Sequence, residues 1–131
     1  RVLDAAFVGR WPDRILNIHP SLLPAFRGLD THARALAAGV RITGATVHVV
    51  RADVDAGPIL VQAAVPVLPE DDAERLAARV LAAEHAIYPV ALRLMAEGRF
   101  RIEGDVARLD LAADARSGGP VDAPPALIWP K

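Results

Sequence analysis

The sequence predicts an α/β domain with a largely parallel sheet, on three observations: short β-branched runs, one long helical apolar pattern, and their alternation along the chain. Ile15-Leu16-Asn17-Ile18 is a short apolar run between the turn-like Trp11-Pro12-Asp13 and the segment from Pro20 to Pro24, and reads as a buried strand. Thr31 to Ala38 follows as a helix, with Asp30 or Thr31 as N-cap and Gly39 as its stop. Thr43 to Val50 and Pro58 to Val67 read as strands, joined by an acidic loop holding Asp53, Asp55 and Gly57. A long helix is predicted from about Asp72 to Gly98. Asp71 and Glu74 resemble a capping box at its start, and Leu76, Val80, Leu81 and Ile87 carry the apolar spacing. Pro89 is expected to kink it. Arg101 to Asp110 reads as a short hairpin, and Ser117 through Pro125 as tail or loop.

The 131 residues bound a single domain with one core. Fifteen basic and 16 acidic side chains leave a net charge of −1, so there is no basic footprint for nucleic acid and no polybasic segment for a membrane surface. No apolar run reaches the roughly 18 residues that span a bilayer. The absence of cysteine removes disulfides, thiolate metal sites and a cysteine nucleophile, and fits a reducing cytoplasm. The four histidines lack metal-ligand spacing, so no metal site is expected. Arginine outnumbers lysine fourteen to one, a skew typical of a GC-rich genome, and Asn17 is the single asparagine.

That asparagine lies two residues before His19, so both project from one face of the first strand. An imidazole titrates near neutrality, whereas a carboxamide offers fixed donors and an acceptor. Together they suit a carbonyl whose oxygen gains negative charge. Isolated polar residues near strand ends are also common as satisfied hydrogen-bonders. The string Asn17-Ile18-His19-Pro20-Ser21-Leu22-Leu23-Pro24, followed by Arg27-Gly28, is more specific. A second string runs Gly44-Ala45-Thr46-Val47-His48-Val49-Val50 into Asp53-Val54-Asp55-Ala56-Gly57-Pro58.

From Arg1 to about Ile102 the chain resembles the folate-dependent formyltransferases. The resemblance implies a formyltransferase fold with a Rossmann-like, mostly parallel sheet and flanking helices. It also implies a formyl donor, 10-formyltetrahydrofolate, whose formyl oxygen Asn17 and His19 would polarise. Asp55, the aspartate before x-Gly-Pro, would keep the imidazole cationic and relay a proton from the attacking amine. Arg1, Val2 and Leu3 match the family's pterin-contacting stretch. Val50 to Asp55, with Val50 and Val54 as contacts, match the loop over the pterin, and Asn17 would also touch the donor. No metal or covalent enzyme intermediate is implied.

The branch of the family turns on Gly28-Leu29-Asp30-Thr31-His32, which is similar to the glycinamide ribonucleotide branch, whereas transfer-RNA formyltransferases continue differently. Glu84-His85-Ala86-Ile87-Tyr88-Pro89 resembles the same branch, and implies that Glu84 holds the amine of glycinamide ribonucleotide. By itself, Glu84 reads more readily as a solvated helix position than as a binding group, and His32, His48 and His85 read as surface or packing residues. The family's Gly-rich phosphate loop has no counterpart here, so the expected organisation is the C-terminal part of a formyltransferase domain over 1–104, with hairpin and tail over 105–131. A chain lacking that first half is expected to be aggregation-prone or a homodimer. A non-catalytic folate-binding remnant, another folate-dependent formyltransferase and a formyltetrahydrofolate hydrolase are the alternatives, the last disfavoured because Pro20 stands where hydrolases carry a second histidine.

Overall fold

The computed structural model describes residues 5–53, 55–111 and 126–130. A short helix not expected from the sequence, α1 (Ala5–Arg10), precedes β1 (Leu16–His19), α2 (Thr31–Ala38), β2 (Ile42–Val49), β3 (Ile59–Pro66), α3 (Ala73–Ala96), β4 (Phe100–Glu103) and β5 (Val106–Leu109). The order of strands and helices therefore follows the sequence reading. The expected Ser117–Pro125 tail lies wholly within 112–125, outside the described residues.

The direction of the strands does not follow that reading. Among the described residues the main sheet is β1-β2-β3, and both pairings are antiparallel. Register explains why the expected parallel arrangement fails here. His19 pairs with Thr46 and Leu16 with Val49, so the chain leaves β1 and re-enters β2 at the same end of the sheet. The intervening loop and helix make no net crossover. Between β2 and β3 the connection from Val50 to Pro58 is shorter than the dozen or so residues that a parallel return needs.

This pairing separates two faces. Leu16 and Ile18 of β1, Ala45 and Val47 of β2, and Val61, Ala63 and Val65 of β3 line one face and pack on Leu76, Val80, Ile87 and Ala91 of α3. Each fully buried side chain of this kind contributes about 1.5–3 kcal/mol. Leu81 was expected on the same helical stripe but is 49% exposed, because five residues after Leu76 the helix has turned well away from it. On the opposite face of the sheet stand Asn17, His19, Thr46, His48 and Gln62.

That polar face is covered by the segment after β1. The Leu23 amide donates to Thr46 Oγ1 (3.1 Å), Thr46 Oγ1 donates to the Ser21 carbonyl (2.8 Å), and Gln62 Nε2 donates to the Leu23 carbonyl (3.0 Å). Gly44 belongs to the same contact: a Cβ there would lie 1.8 Å from the Ala63 carbonyl oxygen and 2.9 Å from Leu22. Only glycine allows that approach.

Helix α3 starts one residue later than the capping-box reading. Asp72 is the cap and accepts from the Arg75 amide (2.8 Å). Asp71 instead accepts from the Leu68 amide (2.7 Å) and takes a bidentate pair from Arg79 (2.6 and 2.9 Å). Arg79 also donates to the Pro66 carbonyl, which ties the end of β3 to the first turns of α3. The helix continues through Pro89 to Ala96, and the proline lacks only the bond its nitrogen would give to the His85 carbonyl. Beyond it, β4 and β5 form the expected hairpin, with a turn at Gly104-Asp105 where the expected domain boundary falls. Trp129 Nε1 donates to the Val67 carbonyl (3.0 Å), so residues 126–130 lie against the end of β3. No helix among the described residues is long and apolar enough to cross a membrane.

The Asp71 side chain is 2% exposed, and the Arg79 guanidinium beside it holds its carboxyl below the usual carboxylate range. A carboxyl whose pKa is depressed by folding adds stability above its unfolded pKa, lost as pH falls through the folded value. Asp71→Asn should therefore destabilise the fold by about 2 kcal/mol at neutral pH, the scale of a charge-assisted hydrogen bond. The difference between variant and wild type should shrink below about pH 4. Urea unfolding at both pH values tests this, and an equal gap at both would contradict it.

Candidate active site

The antiparallel register sets His19 at the end of β1 with its side chain on the polar face and almost wholly buried. Its Nδ1 lies 3.3 Å from Asp55 Oδ1, and its Nε2 lies 2.9 Å from the Phe26 carbonyl oxygen. Asp55 comes from the β2–β3 connection. Its second oxygen accepts from the Gly28 amide (2.9 Å). Both Asp55 (φ 55°) and Gly28 (φ 84°) have left-handed backbones, a conformation aspartate tolerates better than most side chains and glycine adopts freely.

Gly57 explains how the connection is held down. A Cβ on it would sit 1.5 Å from the Val49 carbonyl oxygen, and the Val49 amide donates to the Pro58 carbonyl (2.8 Å). The Gly57-Pro58 step is thus pressed against the end of β2, and the chain before it arches back to present Asp55 to His19.

The remaining expected residues divide in three ways. Asn17 is exposed on β1, two residues before His19 and directly across from His48 of β2. Glu84, half-buried on α3, has its carboxyl pushed up by burial, opposed first by His85 and then by His19. Val50 closes the end of β2, where its amide donates to the Ile15 carbonyl (2.8 Å). Arg1, Val2, Leu3 and Val54 lie outside the described residues. A cleft of about 810 Å³ opens beside the Asp55 loop, between Arg27, Arg51, Gly57 and Val106, but neither Asn17 nor His19 lines it.

Two contributors were not legible in the sequence, because they act through main-chain atoms: the Phe26 carbonyl and the Gly28 amide. The pairing Arg27-Gly28 was visible, but not what its backbone would meet. His48 is the buried, packed histidine that its Val-rich strand suggested. Its Nδ1 donates to the Val49 carbonyl (3.2 Å), and its Nε2 has no hydrogen-bond partner. Among the described residues no group of three or more His, Cys, Asp or Glu side chains could hold a metal ion.

Chemically, the arrangement is an imidazole braced by a carboxylate, with a carboxamide beside it on the same strand face. A family model described as formyl transferase matches residues 1–92. The chain belongs to the formyl transferase family. This formyl transferase chain is 53% identical over 102 residues to the trifunctional purine biosynthetic protein adenosine-3 of Bos taurus, covering 78% of the chain and 10% of that protein. It is 45% identical over 118 residues to phosphoribosylglycinamide formyltransferase of Haemophilus influenzae, covering 90% of the chain and 56% of that enzyme. Among solved structures, glycinamide ribonucleotide transformylase 1 from Symbiobacterium toebii matches with a TM-score of 0.81 and 56% identity, over 83% of this chain and 51% of the other. The formyl transferase chain thus spans about half the length of its single-activity relatives.

Burial holds His48 below the usual histidine pKa, against the opposing effects of the Val49 carbonyl and Asp55, with His19 acting in the same direction as burial. The unfolded chain takes up this proton at about pH 6.5, and the folded chain only at lower pH. Stability should therefore fall as pH drops from 6.5 toward 5.5, because the unfolded state binds more protons there. Urea unfolding of wild type and His48→Asn across that range should show a shallower fall in the variant. Parallel curves would remove His48 as the cause.

Proposed function

We propose that this chain carries the chemical centre of a phosphoribosylglycinamide formyltransferase, within a protein of its relatives' length. The reaction is transfer of a formyl group from 10-formyltetrahydrofolate to the amine of glycinamide ribonucleotide, a step of purine biosynthesis. The observation that carries this reading is the contact between His19 and Asp55 on the strand face that also presents Asn17. Identity of 45–56% to relatives named for this activity supports it.

In this reading, Asn17 and His19 donate hydrogen bonds to the formyl oxygen as the amine attacks and that oxygen gains charge. Asp55 fixes the imidazole through Nδ1 and relays the proton that the attacking amine releases to the folate nitrogen, which bears no hydrogen while formylated and takes up that proton as its bond to the formyl carbon breaks. The His19 ring faces acceptors at both nitrogens, so its donation to substrate requires that Nε2 exchange the Phe26 carbonyl for the formyl oxygen. Glu84 supplies the carboxylate for the acceptor amine, and Arg1, Val2, Leu3, Val50 and Val54 line the pterin side. We place this work in the cytoplasm, on small molecules rather than nucleic acid or membrane, with a homodimer as the assembly.

Asp55→Asn in the full-length protein should lower kcat by about 10²–10³-fold while the KM for the folate changes little, because its role lies in proton transfer and not in ground-state binding. Steady-state kinetics decide this. Wild-type turnover in the variant would remove Asp55 from the chemistry.

Glu84→Ala should raise the KM for the ribonucleotide and leave that for the folate unchanged. In the wild type, the acceptor KM should rise as pH falls through the upward-shifted Glu84 pKa, since the protonated carboxyl no longer attracts the amine. The variant should lack that limb of the pH profile. Movement of the folate KM instead would place Glu84 on the donor side.

A further inference from the structure

The His19–Asp55 pair is clamped from outside by one short piece of chain. Phe26 offers its carbonyl to His19 Nε2, and Gly28 offers its amide to Asp55 Oδ2. Three of the five residues from Phe26 to Asp30 have left-handed backbones: Phe26 (φ 54°), Gly28 (φ 84°) and Asp30 (φ 56°). Two of them are not glycine, so this conformation disfavours itself and needs outside support. The start of α2 does not supply it through a side chain, because Asp30 stands at the N-cap position without making a capping bond.

The support comes from Arg34, one turn into α2. Its Nη1 donates to the carbonyls of Arg27 and Leu29, the latter at 3.0 Å. Its guanidinium carbon lies over the Phe26 ring, 5.6 Å from the centroid. The backbone groups alternate in use: Phe26 and Gly28 reach inward to the histidine and the aspartate, and Arg27 and Leu29 reach outward to the arginine. A planar cation that stacks on the ring and bonds two carbonyls pins the loop in one shape.

We propose that Arg34 is a positioning residue for formyl transfer: it touches no reacting group, but holds the Phe26–Leu29 loop whose Gly28 amide aims Asp55, and through Asp55 the His19 ring, and whose Phe26 carbonyl seats Nε2 until the formyl oxygen replaces it. This rests on the functional reading above. Loss of the guanidinium should loosen the geometry of the pair without removing any group that binds substrate, and should therefore appear in kcat and not in KM.

The test uses the full-length protein, with steady-state kinetics for both substrates, thermal unfolding, and the ¹⁵N resonance of His19 Nε2, which reports its contact with the Phe26 carbonyl. Arg34→Ala should lower kcat about tenfold, with both KM values nearly unchanged and little change in Tm. Added guanidinium ion should restore much of the loss, Arg34→Lys should be intermediate, and the Nε2 resonance should move in Arg34→Ala. Wild-type kcat in Arg34→Ala, or a loss that guanidinium fails to restore and that follows Tm, would overturn the proposal. Should Arg34→Ala fail to fold, wild-type kcat in Arg34→Lys overturns it equally. Absence of formyl transfer by the wild type overturns the functional reading instead, and an unmoved Nε2 resonance in Arg34→Ala then overturns the positioning role separately.

Discussion

Because β2 lies between β1 and β3 and is buried on both faces, each of its side chains must be satisfied by packing or by a hydrogen bond. Ala45, Val47 and Val49 meet the first demand, and the first two pack directly with α3. Thr46 and His48, equally buried, turn to the second, His48 only in part: Thr46 bonds the Ser21–Leu23 segment and Gln62, and His48 bonds the Val49 carbonyl through Nδ1 while its Nε2 has no partner. One face of the strand therefore builds the core, and the other recruits polar partners. The candidate site lies on the second face, where a buried central strand and a polar cover coexist.

The cover is made of two connections that meet each other. One runs from β1 toward α2 and brings the Phe26 carbonyl and Gly28 amide. The other joins β2 to β3 and brings Asp55. Their meeting point is a single carboxylate, with one oxygen toward an imidazole and the other toward a main-chain amide. A carboxylate bonded on both oxygens cannot turn away from its histidine without giving up a charge-assisted bond. The left-handed backbone of Asp55 and the close seat of Gly57 against Val49 follow from that demand. Loops satisfied in this way can be irregular and still exact in what they present.

How much of this was legible follows from the range of each interaction. Helix α2 ends at Ala38 with Gly39 closing it, as the sequence suggests, because a left-handed C-cap is a local matter. The start of α3 is also local, yet it shifts by one residue, because Asp71 has a stronger use in its bidentate pair with Arg79 two turns later. The expected parallel sheet is the larger difference. Alternation of strand and helix tells that a helix intervenes, and not at which end of the sheet the chain returns. That depends on how the Pro20–Leu29 segment lies over Thr46 and Gln62, a contact between residues more than twenty positions apart.

The sequence by itself determined the element order, the face shared by Asn17 and His19, the acidic connection carrying Asp55, and the motifs that relate the chain to its family. These rest on periodicity, turn chemistry and residue identity, which are properties of neighbouring positions. Tertiary structure alone decided the antiparallel register, the approach of Asp55 to His19 across 36 positions, and the bracing of the Phe26–Leu29 loop by Arg34. Each of those depends on main-chain carbonyls and amides, or on the distance between segments. Every residue carries the same main-chain groups, so a sequence cannot announce which of them will meet a side chain until the fold has brought the two together.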